Sequence, residues 1–521
     1  MTGGGRGARA EAQPTLRFQP NLLSAAAGPL PQYPFYYVRA PGDEYLLVSS
    51  RLETLANLFP DAPLDAERLV SLIEWTVHLD SSATVFRPFR RLRPCESISA
   101  GERGIWLERK VPRIATSYRR AASKDAAAEL RFRLDAAVGR GIGDSKHVAV
   151  YTSGGLDSSG VLALATARCR GATPRELSAL SVHYAAPGDD RGYLSELTDA
   201  LGVVPLRLPA VAAGKWFSRS LCADGQPVVL SSTCFDLLLC SKASELGADA
   251  ILTGVSGDRI CGGLLPFAQL ARRGHPLQAI ALALRVRLPW SLSAWGRLRQ
   301  LILSPLVPVP LVRLRRRRAG RAAWMTSLFW RLLARVREAA RYSAGPLPDS
   351  PNEWMTELCE RDMLPDVADL GGQVAALTGC APFDVFLDYE FVRFMLELDP
   401  VLLSHGHQFR GLYRLAMGET LPRRLLDRQD KARFEPGIAA AALAAGAWEM
   451  LRDLSHLDAL ASLGLVDPSA LRRPFNAWLA ALRRGEREEI DPADERWQRM
   501  WQLVSVEAFV RERGQGRDLA I

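Results

Sequence analysis

The stretch Tyr151-Thr152-Ser153-Gly154-Gly155-Leu156-Asp157-Ser158-Ser159 is the most informative part of the chain. An apolar, strand-like run (148–150) precedes it, and an apolar helical pattern (161–165) follows it. Glycines let backbone N–H groups approach a phosphate, serines add hydroxyl donors, and the helix that follows presents the positive end of its dipole to an anion. The stretch therefore predicts a phosphate-binding loop in which Asp157 holds the Mg²⁺ that accompanies a nucleotide. The alternative is a Gly/Ser turn before a buried helix.

Strand-like and helical patterns alternate on the C-terminal side of this loop. The strand-like segments are 177–184, 203–208 and 249–253, and the helical ones are 193–201 and 235–246. Such alternation predicts a parallel, doubly wound sheet, preceded by a helix at about 125–138. Ligands of these sheets bind at the carboxyl ends of the strands. We therefore expect the loop 153–159, the strand end near Val182 and the turn after Thr253 to converge.

That turn is the second glycine-rich stretch, Thr253-Gly254-Val255-Ser256-Gly257-Asp258-Arg259-Ile260-Cys261-Gly262-Gly263. It resembles a segment of asparagine synthetases that runs Ser-Gly-Glu-Gly-Ala-Asp-Glu-Leu-Phe-Gly-Gly. Likewise, residues 153–159 match the pyrophosphatase loop of the N-type ATP pyrophosphatases, the fold of the asparagine synthetases. Enzymes with this loop split ATP between the α and β phosphates, and the asparagine synthetase group uses it to adenylate a carboxylate.

The resemblance implies ATP and Mg²⁺ as cofactors and assigns roles to individual residues. Asp157 and Asp258 would hold Mg²⁺ together, and Val182 would line the adenine pocket. The residues expected to bind the nucleotide are Ser153, Gly154, Gly155, Asp157, Ser158, Ser159, Val182, Gly254 and Gly257.

The second stretch also departs from its relatives at Val255. At this position asparagine synthetases carry glutamate and β-lactam synthetases carry tyrosine, each implicated in handling the substrate amine. A valine cannot take a proton, so both substrate chemistries are disfavoured and the general base is left unassigned. Arg259 likewise replaces the usual glutamate.

Two further segments show looser resemblance to the synthetases. The segment 384–392 resembles their Pro-Phe-Leu-Asp helix start, with Asp388 as the expected N-cap. The segment 421–431 resembles the part in which a lysine reaches the acyl-adenylate, which would make Lys431 catalytic. Only six of the 66 basic residues Lys+Arg are lysine, so Lys431 suggests that a compact ammonium is required there to neutralise the α-phosphate and the developing oxyanion. The alternative is an exposed cation at a helix end.

The N-terminal part of the chain is rich in strand-like patterns. Residues 1–30 are expected to be a mobile arm, and 35–38 and 45–48 are expected to pair as strands around the turn 41–43. The region 31–118 resembles the second half of the amidotransferase domain that precedes asparagine synthetase domains. Active glutaminase domains of that family need an N-terminal cysteine after methionine removal, and here residue 2 is Thr2. We therefore expect a degenerate, structural or docking domain.

Composition excludes some classes of protein. Hydrophobic residues make up 48% of the 521 residues, the net charge is +9, and no apolar run is long enough to span a bilayer. The eight cysteines form no CxxC pair, which is typical of reduced thiols in the cytoplasm. The segment 266–349 is basic, helical and interleaved with tryptophan; a solvated helix face with a peptide-docking surface is favoured over nucleic-acid binding.

The fold class expected from these patterns is α/β. A degenerate Ntn-type glutaminase-like β-rich domain (31–118) would be followed by an asparagine synthetase-like ATP pyrophosphatase domain (119–521) with helical additions. The motifs cover residues 125–265 well and 350–435 loosely, and together with the N-terminal region they resemble the lasso peptide cyclases. These enzymes adenylate an Asp or Glu side chain of a precursor peptide and close a macrolactam with its N-terminal amine. That resemblance implies the precursor peptide and a leader peptidase as partners. The alternatives are a β-lactam-type or other small-molecule amide synthetase, an asparagine synthetase homologue, and a non-catalytic ATP- or peptide-binding scaffold.

Overall fold

The computed structural model describes most of the chain. The described residues are 15–19, 22–40, 44–74, 80–102, 104–171, 173–184, 191–262, 266–288, 293–307, 311, 321–339, 348–361, 364–428, 434–484, 495–513 and 519–520. No helix among them is long and apolar enough to cross a membrane.

The N-terminal region consists mainly of short antiparallel strands. Its elements are β1 Thr15–Gln19, β2 Leu22–Ala26, β3 Tyr36–Arg39, β4 Leu46–Ser49, α1 Leu52–Leu58, β5 Leu64–Asp65, α2 Ala66–Ile73, β6 Arg90–Arg91, β7 Glu96–Gly101 and β8 Gly104–Arg109. One sheet has the order β1-β2-β7-β8 and another the order β4-β3-β6. The pairing of Tyr37 with Val48 confirms the predicted hairpin, while its turn at 41–43 lies outside the described residues.

The prediction of a mobile arm over residues 1–30 is wrong for residues 15–19 and 22–26. These residues form β1 and β2, which pair with each other, and β2 also pairs with β7. The prediction was wrong because the Gly- and Ala-rich residues 1–14 dominate the composition of the segment 1–30. The sequence Leu22–Ala26 shows no strand-like alternation, and β2 is a strand because it pairs with β1 and β7. Residues 1–14 lie outside the described part of the chain.

A parallel sheet forms the centre of the rest of the chain. The later strands are β9 His147–Tyr151, β10 Glu176–His183, β11 Leu206–Pro209, β12 Cys222–Ala223, β13 Gln226–Pro227, β14 Ala250–Thr253, β15 Pro382–Asp384 and β16 Leu519–Ala520. The central sheet has the order β11-β10-β9-β14-β15, and every neighbouring pair in it is parallel. This confirms the predicted doubly wound sheet, with β9 in the middle.

Helices surround the central sheet and extend the fold beyond it. They are α3 Ser123–Ile142, α4 Leu156–Cys169, α5 Arg191–Leu201, α6 Thr233–Glu245, α7 Gly257–Gly262, α8 Pro266–Arg272, α9 Pro276–Arg285, α10 Ala294–Leu298, α11 Ser304–Leu306, α12 Ser327–Ala339, α13 Pro351–Arg361, α14 Leu364–Thr378, α15 Tyr389–Glu397, α16 Gly411–Ala416, α17 Arg423–Leu426, α18 Glu435–Ala444, α19 Trp448–Leu454, α20 Asp458–Ser462, α21 Arg472–Arg484 and α22 Glu495–Arg513.

Both faces of the central sheet are buried, as its continuous apolar strands require. On one face, Val148 and Val150 of β9 pack with α3 and α4. On the other face, Ala149 of the same strand packs with α6 and α14 through Leu237 and Val374. Successive side chains of a strand point to opposite faces, so a single apolar run supplies both layers.

The N-terminal region shares a hydrophobic core with the C-terminal helices. Phe86 lies edge-on to Phe509 of α22, with ring centroids 5.9 Å apart. In addition, β5 pairs in parallel with β16 through Leu64 and Leu519. The boundary between 31–118 and 119–521 stays a prediction, but the two parts pack against each other over a continuous apolar cluster.

The basic segment 266–349 is helical where it is described, as α8 to α12. Trp324 is buried and packs against Phe329 at 5.0 Å between ring centroids. The Arg297 guanidinium donates a hydrogen bond of 2.7 Å to the Val286 carbonyl. These residues therefore stabilise the segment itself, whereas the arginines at 313 and 315–318 lie outside the described residues.

A side-chain clamp ties the N-terminal region to the edge strand of the central sheet. The Asp384 backbone N–H donates to Gln32 Oε1 at 2.6 Å, and Gln32 Nε2 donates to the Asp384 carbonyl at 3.0 Å. The Tyr33 hydroxyl donates to the Pro382 carbonyl. The buried Gln32 amide thus occupies the place that a further strand would take beside β15.

We predict that Gln32→Ala destabilises the protein by about 1–3 kcal/mol, because it leaves the Asp384 N–H and C=O unpaired in a buried place. Urea unfolding of the variant and the wild type measures the difference. Gln32→Glu, which keeps the acceptor oxygen but puts a carboxylate against the Asp384 carbonyl in a buried place, should not restore stability. Equal unfolding midpoints for Gln32→Ala and the wild type would show that the clamp is dispensable.

Candidate active site

The first glycine-rich loop joins β9 to α4 and is held by its own serines. The Gly155 N–H donates to Ser153 Oγ at 3.2 Å, and Ser158 Oγ donates to the Gly155 carbonyl at 3.2 Å. Gly154 has a φ of +83°, in the left-handed region that favours glycine. The loop thus leads directly into the N-terminus of α4, where backbone N–H groups lack helical partners.

The second loop, between β14 and α7, packs directly on the first. A Cβ added at Gly254 would lie 3.2 Å from the carbonyl carbon of Asp157, and one added at Gly257 would lie 2.4 Å from the Asp157 Cγ. Only glycine allows the two loops to approach so closely. The expected convergence of the loops is therefore confirmed, since β9 and β14 are adjacent parallel strands.

A cavity of about 420 Å³ opens where these loops meet at the carboxyl ends of the strands. Of the residues predicted to bind nucleotide or metal, those in its lining are Ser153, Gly155, Asp157, Ser158, Val182, Gly254 and Asp258. Three others lie behind the lining: Ser159 is fully buried, Gly257 packs on Asp157, and the Gly154 carbonyl accepts a hydrogen bond of 3.1 Å from Arg428.

The two predicted metal-binding aspartates face a common cation, Arg410. The Arg410 guanidinium donates to Asp157 Oδ2 and is itself only 8% exposed. Burial opposes its charge, but Asp157 and Asp258 together raise the pKa of Arg410 above its ordinary value. Burial likewise raises the pKa of the Cys261 thiol, and the charges of Asp157 and Asp258 add to that effect. Asp157 and Asp258 therefore lie within electrostatic reach of the same buried groups.

The comparison with known protein families agrees with this site. A family model described as asparagine synthase matches residues 129–511. The chain belongs to the asparagine synthase family. No match to an individual curated protein was found.

Members of the asparagine synthase family are ATP-dependent amide ligases that form carbon–nitrogen bonds, and so is this enzyme. The matched residues include both glycine loops and the strands that position them. They begin within α3 and end within α22, so the N-terminal strands β1 to β8 lie outside the match.

The carboxylates of this asparagine synthase family enzyme suit a divalent metal ion only in part. Among the described residues, no group of three or more His, Cys, Asp or Glu side chains is arranged to hold a metal. Asp157 and Asp258 offer the hard oxygen atoms that Mg²⁺ prefers, and the remaining ligands would have to come from phosphate and water, as is usual for Mg²⁺ bound with a nucleotide. The donor set therefore fits Mg²⁺ that arrives with ATP rather than a metal bound beforehand.

Sequence reasoning missed Asp384, which fixes the second loop. Asp384 Oδ2 accepts a hydrogen bond of 2.8 Å from the Ser256 N–H, and its Oδ1 accepts one of 3.1 Å from the Phe386 N–H. Burial raises the pKa of Asp384 to about 6. Its place at the end of a strand was the available signal, because polar side chains at that edge of a parallel sheet face the site.

The segment that contains Asp384 also holds the predicted helix cap. Asp388 accepts a hydrogen bond of 3.0 Å from the Phe391 N–H, which confirms it as the N-cap of α15. It also accepts a hydrogen bond of 2.7 Å from Arg140 Nε of α3, so the cap is anchored to a neighbouring helix. No pattern in the sequence announced the roles of Arg140 or Arg410.

Lys431 lies outside the described residues, as do its neighbours from 429 to 433. The described residues on either side of this gap are at the site. Arg428 contacts the first loop through Gly154, and Phe434 is in the cavity lining.

We predict that Gly257→Ala weakens ATP binding by at least about tenfold, or about 1.4 kcal/mol. The added methyl group would displace the Asp157 carboxylate and separate the loops. Isothermal titration of ATP with Mg²⁺ measures the dissociation constant. Gly192→Ala on α5 is the matched control, because its Cβ would make only ordinary contact at 3.8 Å with Arg424. Unchanged affinity in Gly257→Ala would contradict the assignment of the loops to ATP.

Proposed function

We propose that this enzyme is a lasso peptide cyclase, which adenylates an Asp or Glu side chain of a precursor peptide and joins it to the peptide's N-terminal amine. The observation that carries the proposal is the apolar wall of the cavity. Apart from Val182, which is assigned to the adenine, the wall consists of Leu230, Phe235, Val255 and Phe434. A free amino acid such as aspartate would need charged partners for its own ammonium and carboxylate, whereas a peptide segment presents neutral amides and side chains to such a wall.

In this proposal the first loop binds the phosphates of ATP. The backbone N–H groups at the start of α4, the Ser153 and Ser158 hydroxyls and the backbone near Gly254 would surround them. Asp157 and Asp258 would hold Mg²⁺, which neutralises phosphate charge when it is bound. Val182 would contact the adenine.

Lys431 completes the proposed site as the group that neutralises the α-phosphate and the oxyanion formed during acyl transfer. The contacts of Arg428 and Phe434, three residues away on each side, support this role. The amine attacks from within the same peptide, so proximity supplies much of the rate. The degenerate N-terminal region would serve as a wall of the site and not as a source of ammonia, since Gln32 is part of the cavity lining.

The precursor peptide and a leader peptidase are the partners that this function requires, and we place the reaction in the cytoplasm. All eight cysteines are thiols in the structure, as expected of a reducing compartment. The basic helical segment 266–349 would be the docking surface for the peptide. We propose no binding of nucleic acid.

We expect that incubation with ATP, Mg²⁺ and a leader-free precursor peptide gives a product lighter by one water, together with AMP and pyrophosphate. Mass spectrometry and nucleotide chromatography measure both. Asp157→Asn, which keeps the shape of the side chain and an acceptor for Arg410, should abolish turnover. Release of ADP, or product formation from aspartate and ammonia in place of the peptide, would exclude the cyclase. Binding of ATP without any turnover would favour a scaffold.

We also expect Lys431→Ala to lower kcat by about 10²- to 10³-fold, the usual cost of losing one oxyanion-stabilising group. Steady-state turnover at saturating ATP measures the effect. Lys124→Ala is the matched control, because Lys124 is exposed at the start of α3. Near-wild-type turnover in Lys431→Ala would remove this lysine from catalysis.

A further inference from the structure

The cavity contains a carboxylate that the proposed nucleotide site does not use. Asp236 is in the first turn of α6, and α6 leads into β14, so this turn lies at the carboxyl edge of the sheet. Its side chain is part of the cavity lining. In the described part of the chain, no side chain or backbone group forms a hydrogen bond or an ion pair with Asp236.

Other acids of the cavity already have structural partners. Asp157 accepts from Arg410, and Asp384 accepts from two backbone N–H groups. Asp236 instead neighbours the apolar side chains of Phe235 and Leu239 in the lining. A carboxylate in such a place has no role in stabilising the fold, because nothing compensates for its loss of hydration.

Amide formation requires a group that accepts a proton from the attacking amine. An N-terminal amine has an ordinary pKa of about 7.7–8.0, so it must reach the acyl-adenylate unprotonated and then lose a further proton as the bond forms. In the second loop, Val255 has no titratable group, and Asp258 is assigned to the metal in the proposed function. We propose that Asp236 is the general base of amide formation, and the inference rests on the proposed function in requiring an adenylated carboxylate in this cavity.

The amine nitrogen attacks the carbonyl carbon of the acyl-adenylate, and a carbon–nitrogen bond forms. The nitrogen of the tetrahedral intermediate gives a proton to a carboxylate oxygen of Asp236. The bond between that carbon and the phosphate oxygen then breaks, and AMP leaves with the electron pair. Asp236 returns its proton to solvent through the open side of the cavity.

The protonation state of Asp236 determines how the rate of amide formation should depend on pH. Burial raises the pKa of Asp236 to about 7, so the base form becomes dominant only above neutral pH. Burial also raises the pKa of Cys234 to about 12 and of Cys240 to about 11, so these neighbours stay neutral. The other titratable groups in the lining are Tyr151, Tyr184, Asp157, Asp258 and Asp384. Burial raises the pKa of Asp384 to about 6.

The test separates activation of the carboxylate from formation of the amide. Peptide-dependent exchange of pyrophosphate into ATP measures the first, and cyclic product in a single turnover measures the second. We expect Asp236→Asn to keep exchange within about twofold and to slow amide formation by about 10²-fold or more, as loss of a general base does. In Asp236→Asn, the fall of the amide-forming rate at acid pH, which is centred near pH 7 in the wild type, should disappear. Asp236→Glu should restore part of the rate.

Two controls make the result specific. Asp224→Asn replaces another buried acid, whose pKa is also raised to about 6 by burial, but which lies outside the cavity and accepts from the Leu52 N–H. Its amide formation should match the wild type. Folding of Asp236→Asn is checked by thermal unfolding at pH 8, where the melting temperature should not fall. The raised pKa means that ionised Asp236 lowers stability as the pH rises through 7, and asparagine removes that loss.

Wild-type amide formation in Asp236→Asn would overturn the inference. Loss of exchange in that variant would overturn it as well, because Asp236 would then act before the amine attacks. If the wild type itself shows no peptide-dependent exchange, the result contradicts the proposed function. It is thereby distinguished from the results on Asp236→Asn, which contradict the assignment of the base.

Discussion

The close packing of the two glycine loops around Asp157 is the constraint on which the site depends. The loops end adjacent parallel strands, and the absence of side chains at Gly254 and Gly257 lets the second loop lie directly on Asp157. Asp384 then holds the second loop from the far side through the Ser256 N–H. The carboxylate of Asp157 is thus fixed between β9, β14 and β15, which is the preorganisation that a nucleotide site requires.

The same constraint gives the N-terminal region a structural role at the site. β15 is at the edge of the central sheet, and its backbone would be open on one side without Gln32 and Tyr33. The N-terminal region fills this place and also shares an apolar core with the C-terminal helices. The N-terminal region therefore supports a wall of the cavity, because Gln32 is part of its lining.

Charge is distributed unevenly around the cavity. On one side Arg410 balances part of the negative charge of Asp157 and Asp258. On the other side, Val255 and the residues around Asp236 form an apolar wall, and no described residue forms a hydrogen bond or an ion pair with Asp236. The first side suits activation of a carboxylate by ATP, and the second suits an amine that must lose a proton. A division of this kind would keep the two half-reactions apart within one cavity.

The sequence by itself determined the family-level features of this protein. The alternation of strands and helices predicted the parallel sheet, and the two glycine-rich stretches predicted which strand ends meet, because both signals are local in the chain. Tertiary structure decided everything that depends on distant partners. Arg410 lies 253 positions from Asp157, and Asp384 lies 352 positions from Gln32, so no spacing or period in the sequence announces either contact. The strands β1 and β2 were also decided by tertiary structure, because only the pairing of β2 with β7 distinguishes them from a flexible arm.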